Sequence, residues 1–268
     1  EWWNSPPAGF AYEWTHPPLA KEAMVVGMKI FARLHLPSAT TSKMLADGGQ
    51  GENPFGWRFP GVMAGVGVIF LIYLLGKQLF NVRAGLIAAF LASMDGLLFT
   101  QSRIGMNDIY FLFFMLLGFY LFVKQSGQIR QIGLIGVGVA LGLALASKWT
   151  AIYGIGILGG LYLLWVARQK FFPVQNLSRT RFARFVPQKF VGLPTLLGCF
   201  FLFFIIIPLF VYLLTYLPFF QSGHSWAQFS ELQHQMWWYH TGLKASHPYT
   251  SPWYSWPFLQ RPVRYFVD

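Results

Sequence analysis

Charge is scarce in this sequence, and negative charge is scarcer. Asp, Glu, Lys and Arg together make up 11% of the 268 residues, where a soluble domain carries roughly 25%. So few charges cannot cover the outside of a soluble fold. Cysteine is nearly absent too: the single one, Cys199, lies in an apolar run. A lone cysteine excludes a disulfide framework and a metal–thiolate centre. No HExxH spacing occurs among the histidines, so the sequence offers no zinc-hydrolase motif. What is present is apolar: 55% of residues are hydrophobic and 19% aromatic. That composition predicts an all-α integral membrane protein. The chain begins at Glu1 without an initiator methionine, signal peptide or first anchor, and reads as a fragment of a longer membrane protein.

Crossing a bilayer takes about 20 mostly apolar residues in a helix. Six stretches meet or nearly meet that description, at 59–76, 84–102, 108–123, 131–147, 149–167 and 191–220, the last long enough to tilt or to bend at Pro208. Charge then sets orientation. With the N-terminal segment outside, three loops face inward. They carry Lys77 and Arg83, then Lys124 and Arg130, then Arg168, Lys170, Arg179, Arg181, Arg184 and Lys189, with no acidic residue in any of them. This is a positive-inside pattern. The net charge of +11 therefore needs no nucleic acid to account for it. The expected organisation is an outer loop with a surface helix over 1–58, about six transmembrane helices over 59–220, and an outer aromatic loop over 221–268.

The expected outer face carries most of the remaining chemistry. In "YEWTHPPLAKEA", Pro17 and Pro18 stiffen the chain and restrict His16. An amphipathic helix follows, with Leu19, Ala23, Val26, Ile30, Phe31 and Leu34 on one side and Glu22, Lys29 and Arg33 on the other, suited to the membrane surface. His16 and Lys21 are either part of a corner that aims this helix or direct ligands. Arg58, at the start of the first span, either snorkels to headgroups or holds a lipid phosphate with its planar fork. In "SMDGLLFTQSRIGMNDIYF", Asp95 falls inside a span and calls for a partner. An Asp95–Arg103 clamp closing the hairpin is the expected one, while Arg103 and Asp108 at the rim are candidates for function. Lys148 and Trp149 occupy a very short outer turn, as phosphate neutraliser and interfacial anchor. The tail "MWWYHTGLKASHPYTSPWYSWPFLQRP" sets His240, Lys244, His247, Trp256 and Arg261 among aromatics, which suits sugar faces, peptide or plain interfacial packing.

Taken in order, "THPPLAK", "RFPGVMAG", "MDGLLFTQSRIGMND", "LASKWTAIYG" and "HPYTSPWYSWPFLQRPV" resemble the bacterial protein O-mannosyltransferases, glycosyltransferase family 39 of the multi-span GT-C class. The likeness covers nearly the whole chain. It implies inverting transfer of mannose from a polyprenyl-phosphate carrier to Ser or Thr of a translocated protein, on the outward face of the bacterial cytoplasmic membrane. It implies no cofactor beyond the lipid-linked donor. Membrane lipids and the secretion machinery are further expected partners. The family's base is an Asp-Glu pair in the first outer loop. No adjacent Asp-Glu occurs here, so the base is expected upstream of this segment. By matching motifs, Arg58, Arg103, Asp108 and Lys148 take the donor-phosphate and supporting positions. His16 and Lys21 take the outer-loop motif, and His247, Trp256 and Arg261 the donor or acceptor loop.

Two other classes compete. A related lipid-linked sugar transferase, such as those that add aminoarabinose to lipid A, uses the same donor type on a lipid or glycan acceptor. A transporter calls for repeated halves with polar breaks near the midplane; no internal repeat is visible, and the acidic and histidine residues gather toward one face.

Overall fold

The computed structural model describes residues 15–34, 55–125, 131–171, 193–242, 251–252 and 254–255. Within them the regular elements are helices: α1 (Leu19–Arg33), α2 (Phe55–Leu79), α3 (Val82–Ser93), α4 (Gly96–Gln101), α5 (Asn107–Lys124), α6 (Gln131–Ser147), α7 (Ala151–Phe171), α8 (Leu193–Phe201), α9 (Ile207–Leu214), α10 (Leu217–Gln221) and α11 (Trp226–Gly242). Four helical stretches among the described residues are long and apolar enough to cross a membrane: Phe55–Leu79, Asn107–Lys124, Ala151–Arg168 and Leu193–Gln221. Val82–Ser93 and Gly133–Ser147 are apolar but shorter. The protein is an all-α integral membrane protein, and large side chains such as Phe70, Phe90, Leu164 and Phe210 remain exposed on its flanks, as lipid-facing residues do.

The second expected span is not continuous. It stops after Ser93, and α4 starts afresh at Gly96. Asp95 is the N-cap of α4: its side chain accepts the Leu98 N–H at 2.6 Å. The Asp95–Arg103 clamp expected from sequence is therefore replaced by a local cap, because a carboxylate satisfies the free N–H groups of a new helix at once. The last span changes its winding just before Pro208. A π-helical turn at Leu202–Ile206 precedes Pro208. Proline has no N–H to give to the carbonyl four residues back, and the wider turn absorbs that missing bond.

Packing follows the small residues. α2 runs against α3, α5 and α1; α5 runs against α6, and α6 against α9. At the α2–α3 crossing a Cβ on Gly76 would stand 2.8 Å from the Gly85 Cα. In lipid no hydrophobic force pulls helices together, so such close backbone contact supplies the van der Waals gain. One core gathers Leu134, Val137, Leu141, Leu158, Tyr162, Phe203 and Phe204 between α6, α7 and the last span. A second holds Ala20, Ala64, Val68, Ile109 and Tyr110. A third, Ala146, Tyr212, Tyr216, Phe219, Leu232 and Met236, seats α11 on the end of the bundle, with Leu19 and Trp149 against it.

The first turn of α1 is wedged between the last two clusters, Ala20 in one and Leu19 against the other. Glu22, expected on the polar face, is consequently half-buried, while Val26, Ile30 and Leu34 of the expected apolar face stay exposed. The residues α1 buries, Ala20 and Gly27, lie off that stripe, and its neighbours at the first turn draw Glu22 inward.

Candidate functional site

Lys148 and Asp108 define one end of the bundle. Lys148 follows the last residue of α6 and its N–H still bonds to the Ala144 carbonyl. Asp108 sits in the first turn of α5. Each charge thus lies where the helix dipole favours it, a cation at a C-terminus and an anion at an N-terminus. The Lys148 Nζ donates to Asp108 Oδ1 at 2.7 Å. It is the one ion pair among the described residues, and both side chains remain partly open to solvent at 23% and 37%.

Beside Lys148, the Trp149 Nε1–H donates to the Tyr212 hydroxyl at 3.1 Å. Tyr212 in turn donates to Gln233 Oε1 at 2.5 Å and lies 3.0 Å from the Tyr216 hydroxyl. A phenol has one proton and two lone pairs, so Tyr212 donates to Gln233 and accepts from Trp149 and Tyr216. The Trp149 ring also stands 6.2 Å from the His240 ring. His240 donates through Nε2 to the Thr15 carbonyl at 2.9 Å, since a carbonyl only accepts. His16 meets His240 edge-on at 5.5 Å and has its Nδ1 2.8 Å from Thr15 Oγ1. Pro17 and Pro18 are buried behind them. The proline corner, the α6–α7 turn, the last span and α11 therefore converge, although residues 15 and 240 are 225 apart in sequence.

The arginines reach the same end by another route. Gly105 adopts φ +68°, a conformation that favours glycine, and a Cβ there would stand 2.9 Å from the Trp57 ring. This packs the loop carrying Arg103 against the start of α2, next to Arg58. Arg58 is exposed with its guanidinium 4.8 Å from the Trp57 ring centroid; Arg103 is exposed 3.9 Å over Phe99. Both contacts fall within cation–π range. Of the two rim candidates, Asp108 pairs with Lys148 and Arg103 with Phe99. Lys21 turns back to the His16 carbonyl at 3.3 Å. His247, Trp256 and Arg261 lie outside the described residues.

Glu22, Tyr212, Gln233 and His240 were not singled out as site residues from sequence. His240 carried the one usable signal, an imidazole in an aromatic run. Burial raises the Glu22 carboxyl to about 7. No group of three or more His, Cys, Asp or Glu side chains among the described residues is placed to hold a metal ion.

Comparison with known proteins gives this constellation a context. Residues 11–223 match the family model described as dolichyl-phosphate-mannose-protein mannosyltransferase. Residues 225–268 match that of the C-terminal four-transmembrane region of protein O-mannosyltransferase. The protein named polyprenol-phosphate-mannose–protein mannosyltransferase in Mycobacterium tuberculosis is 28% identical over 94% of this chain and 52% of its own length. The protein of that name in Mycolicibacterium smegmatis is 26% identical over 94% of this chain and 53% of its own. Dolichyl-phosphate-mannose–protein mannosyltransferase 1 of Candida albicans is 32% identical over 56% of this chain and 18% of its own length. The chain thus spans about half the length of the curated mycobacterial relatives it matches. No solved structure matches it. One family model runs unbroken from the proline corner through the Lys148 turn to the end of the last span, and the chain belongs to the dolichyl-phosphate-mannose-protein mannosyltransferase family.

Proposed function

We propose that the full-length protein transfers mannose from a polyprenyl-phosphate carrier to Ser or Thr hydroxyls of translocated polypeptides. The Lys148 end is then the reacting face, turned outward from the bacterial cytoplasmic membrane. Family membership and the names of the relatives support the reaction. The observation that carries the site is Lys148 held 2.7 Å from Asp108 at a helix end shared with Arg58 and Arg103.

The chemistry follows from what leaves and what attacks. The acceptor hydroxyl attacks the sugar's anomeric carbon as the bond to the carrier phosphate breaks, so configuration inverts. Negative charge builds on the departing phosphate, and a fixed cation stabilises that charge more in the transition state than before it. Lys148 fills this role, with Asp108 aiming it. Arg58 and Arg103 bind the carrier phosphate at headgroup depth, where a guanidinium gives two parallel hydrogen bonds. The hydroxyl's proton needs a base, which we assign to an Asp-Glu pair in an outer loop ahead of His16. His16 and His240 tie that corner to α11, and His247, Trp256 and Arg261 contribute to donor or acceptor binding. Lipid contacts surround the bundle, the secretion machinery delivers the acceptor, and the donor is the sole small-molecule requirement.

The test is direct. Purified full-length protein is given polyprenyl-phosphate-mannose with labelled mannose and a Ser/Thr-rich peptide. Label on the peptide, lost when its hydroxyl residues are changed to alanine, supports the reading. Label appearing instead on a lipid or glycan would reassign the acceptor.

A further inference from the structure

Glu22 stands on the turn of α1 that meets two other parts of the fold. Its Oε1 is buried and has no hydrogen-bond partner. Gln233 Nε2, on α11, is likewise buried without a partner. Leu19, one turn before Glu22 on α1, packs against the cluster that holds Tyr212 and Tyr216. Tyr216 bonds to Tyr212, Tyr212 to Trp149, and Trp149 adjoins Lys148. The carboxyl thus lies one turn from a packed cluster whose tyrosines bond to the indole beside Lys148.

The described cations nearby are occupied elsewhere. Lys21, beside it on α1, reaches the His16 carbonyl. Lys148, at the end of α6, is held by Asp108 of α5, and Arg58 of α2 lies over Trp57. α11 offers the uncharged Gln233, and the last span brings the tyrosines Tyr212 and Tyr216 to the cluster against which this turn of α1 packs. Among the described residues no cation pairs with a carboxylate here, and a neutral acid costs far less to bury than an ionised one.

We propose that Glu22 is a positioning residue for the transfer. As a neutral acid it closes the seam between α1, Tyr216 and α11, and through Tyr212 and Trp149 it fixes the Lys148 turn. This rests on the reading that the Lys148 end is the reacting face. Burial, which holds the carboxyl up at about 7, agrees with it. The sign follows: a folded-state value raised above the ordinary 4.5 makes the seam fully stabilising below pH 4.5, and the stabilisation is lost as pH climbs through about 7.

The experiment compares wild type, Glu22→Gln and Glu22→Ala in the full-length protein in nanodiscs. Thermal unfolding and initial mannosyl-transfer rates are followed from pH 5 to 8.5. Wild-type melting temperature should fall across pH 5–8, and its rate should fall about tenfold per pH unit once the acid has ionised. Glu22→Gln, neutral at every pH, should keep the acid-side rate and lose both slopes. Glu22→Ala should lower the rate about tenfold or more at all pH values. A Glu22→Gln protein that titrates like wild type, or a Glu22→Ala protein with wild-type rates, overturns the proposal. A wild type that transfers no mannose overturns the reaction assigned above; the melting comparison then decides separately whether Glu22 closes the seam, and identical slopes in wild type and Glu22→Gln would overturn that as well.

Discussion

Lys148 Nζ lies 2.7 Å from Asp108 Oδ1 across forty residues of sequence, joining the end of α6 to the start of α5. The pair is partly exposed, and such pairs contribute about 0–1 kcal/mol to stability. Lys148→Ala should therefore leave the melting temperature within a few degrees of wild type. Its transfer rate should fall by about 10²–10³, the usual cost of removing a group aimed at developing charge. Lys148→Arg should recover part of the rate. Initial-rate kinetics on the full-length protein check this; a wild-type rate in Lys148→Ala removes the lysine from the mechanism.

Arg58 makes a different prediction, because its guanidinium is exposed and lies over the half-buried Trp57 indole without an ion pair to any described residue. Arg58→Ala should insert and fold normally. Its KM for the lipid-linked donor should rise about 10- to 100-fold, the equivalent of one charge-assisted hydrogen bond, with a smaller change in kcat. Donor titrations at saturating peptide measure it, and an unchanged KM would exclude a phosphate contact.

Gly27 and Gly56 test how α1 is mounted. A Cβ on Gly27 would stand 2.5 Å from the Gly56 carbonyl oxygen and 2.6 Å from Pro60 Cγ, neither of which can swing away. A Cβ on Gly56 meets the Met28 Cα at 3.1 Å, a tight but tolerable approach. Gly27→Ala should cost about 1–3 kcal/mol by forcing α1 off α2, and Gly56→Ala distinctly less. Thermal unfolding of the two variants side by side gives the order, and equal losses would contradict the close approach.

These residues also show where sequence reasoning reaches and where it stops. The Lys148–Trp149 turn was legible because two apolar runs flank three residues, leaving no room for anything but a tight turn. An irregularity near Pro208 was legible because proline lacks an N–H wherever it stands, and the π turn falls there. The approach of His240 to Thr15 was not, since no period or spacing relates residues 225 apart. Glu22 misled for a related reason. A helical wheel places it opposite Ala20, but α1 has neighbours on two sides at its first turn, and a wheel knows only one helix.

Asp95 misled through hydropathy, and it yields the sharpest separation of two accounts. Over a continuous span from 84 to 102 its carboxylate needs a distant cation, and Arg103 is the available one. In the fold it instead accepts the Leu98 N–H at the start of α4, while Arg103 lies over Phe99. A cap needs a side-chain oxygen and not a charge. Asp95→Asn should then be close to neutral, and Asp95→Ala should cost about 1 kcal/mol, within the usual 0.5–2. Combined with Arg103→Ala, the losses should add to within about 0.3–0.5 kcal/mol, as they do for sites that share no contact. A clamp predicts the opposite pattern: Asp95→Asn as harmful as Asp95→Ala, and a double variant no worse than either single one. Equilibrium unfolding of the four proteins in detergent separates the two.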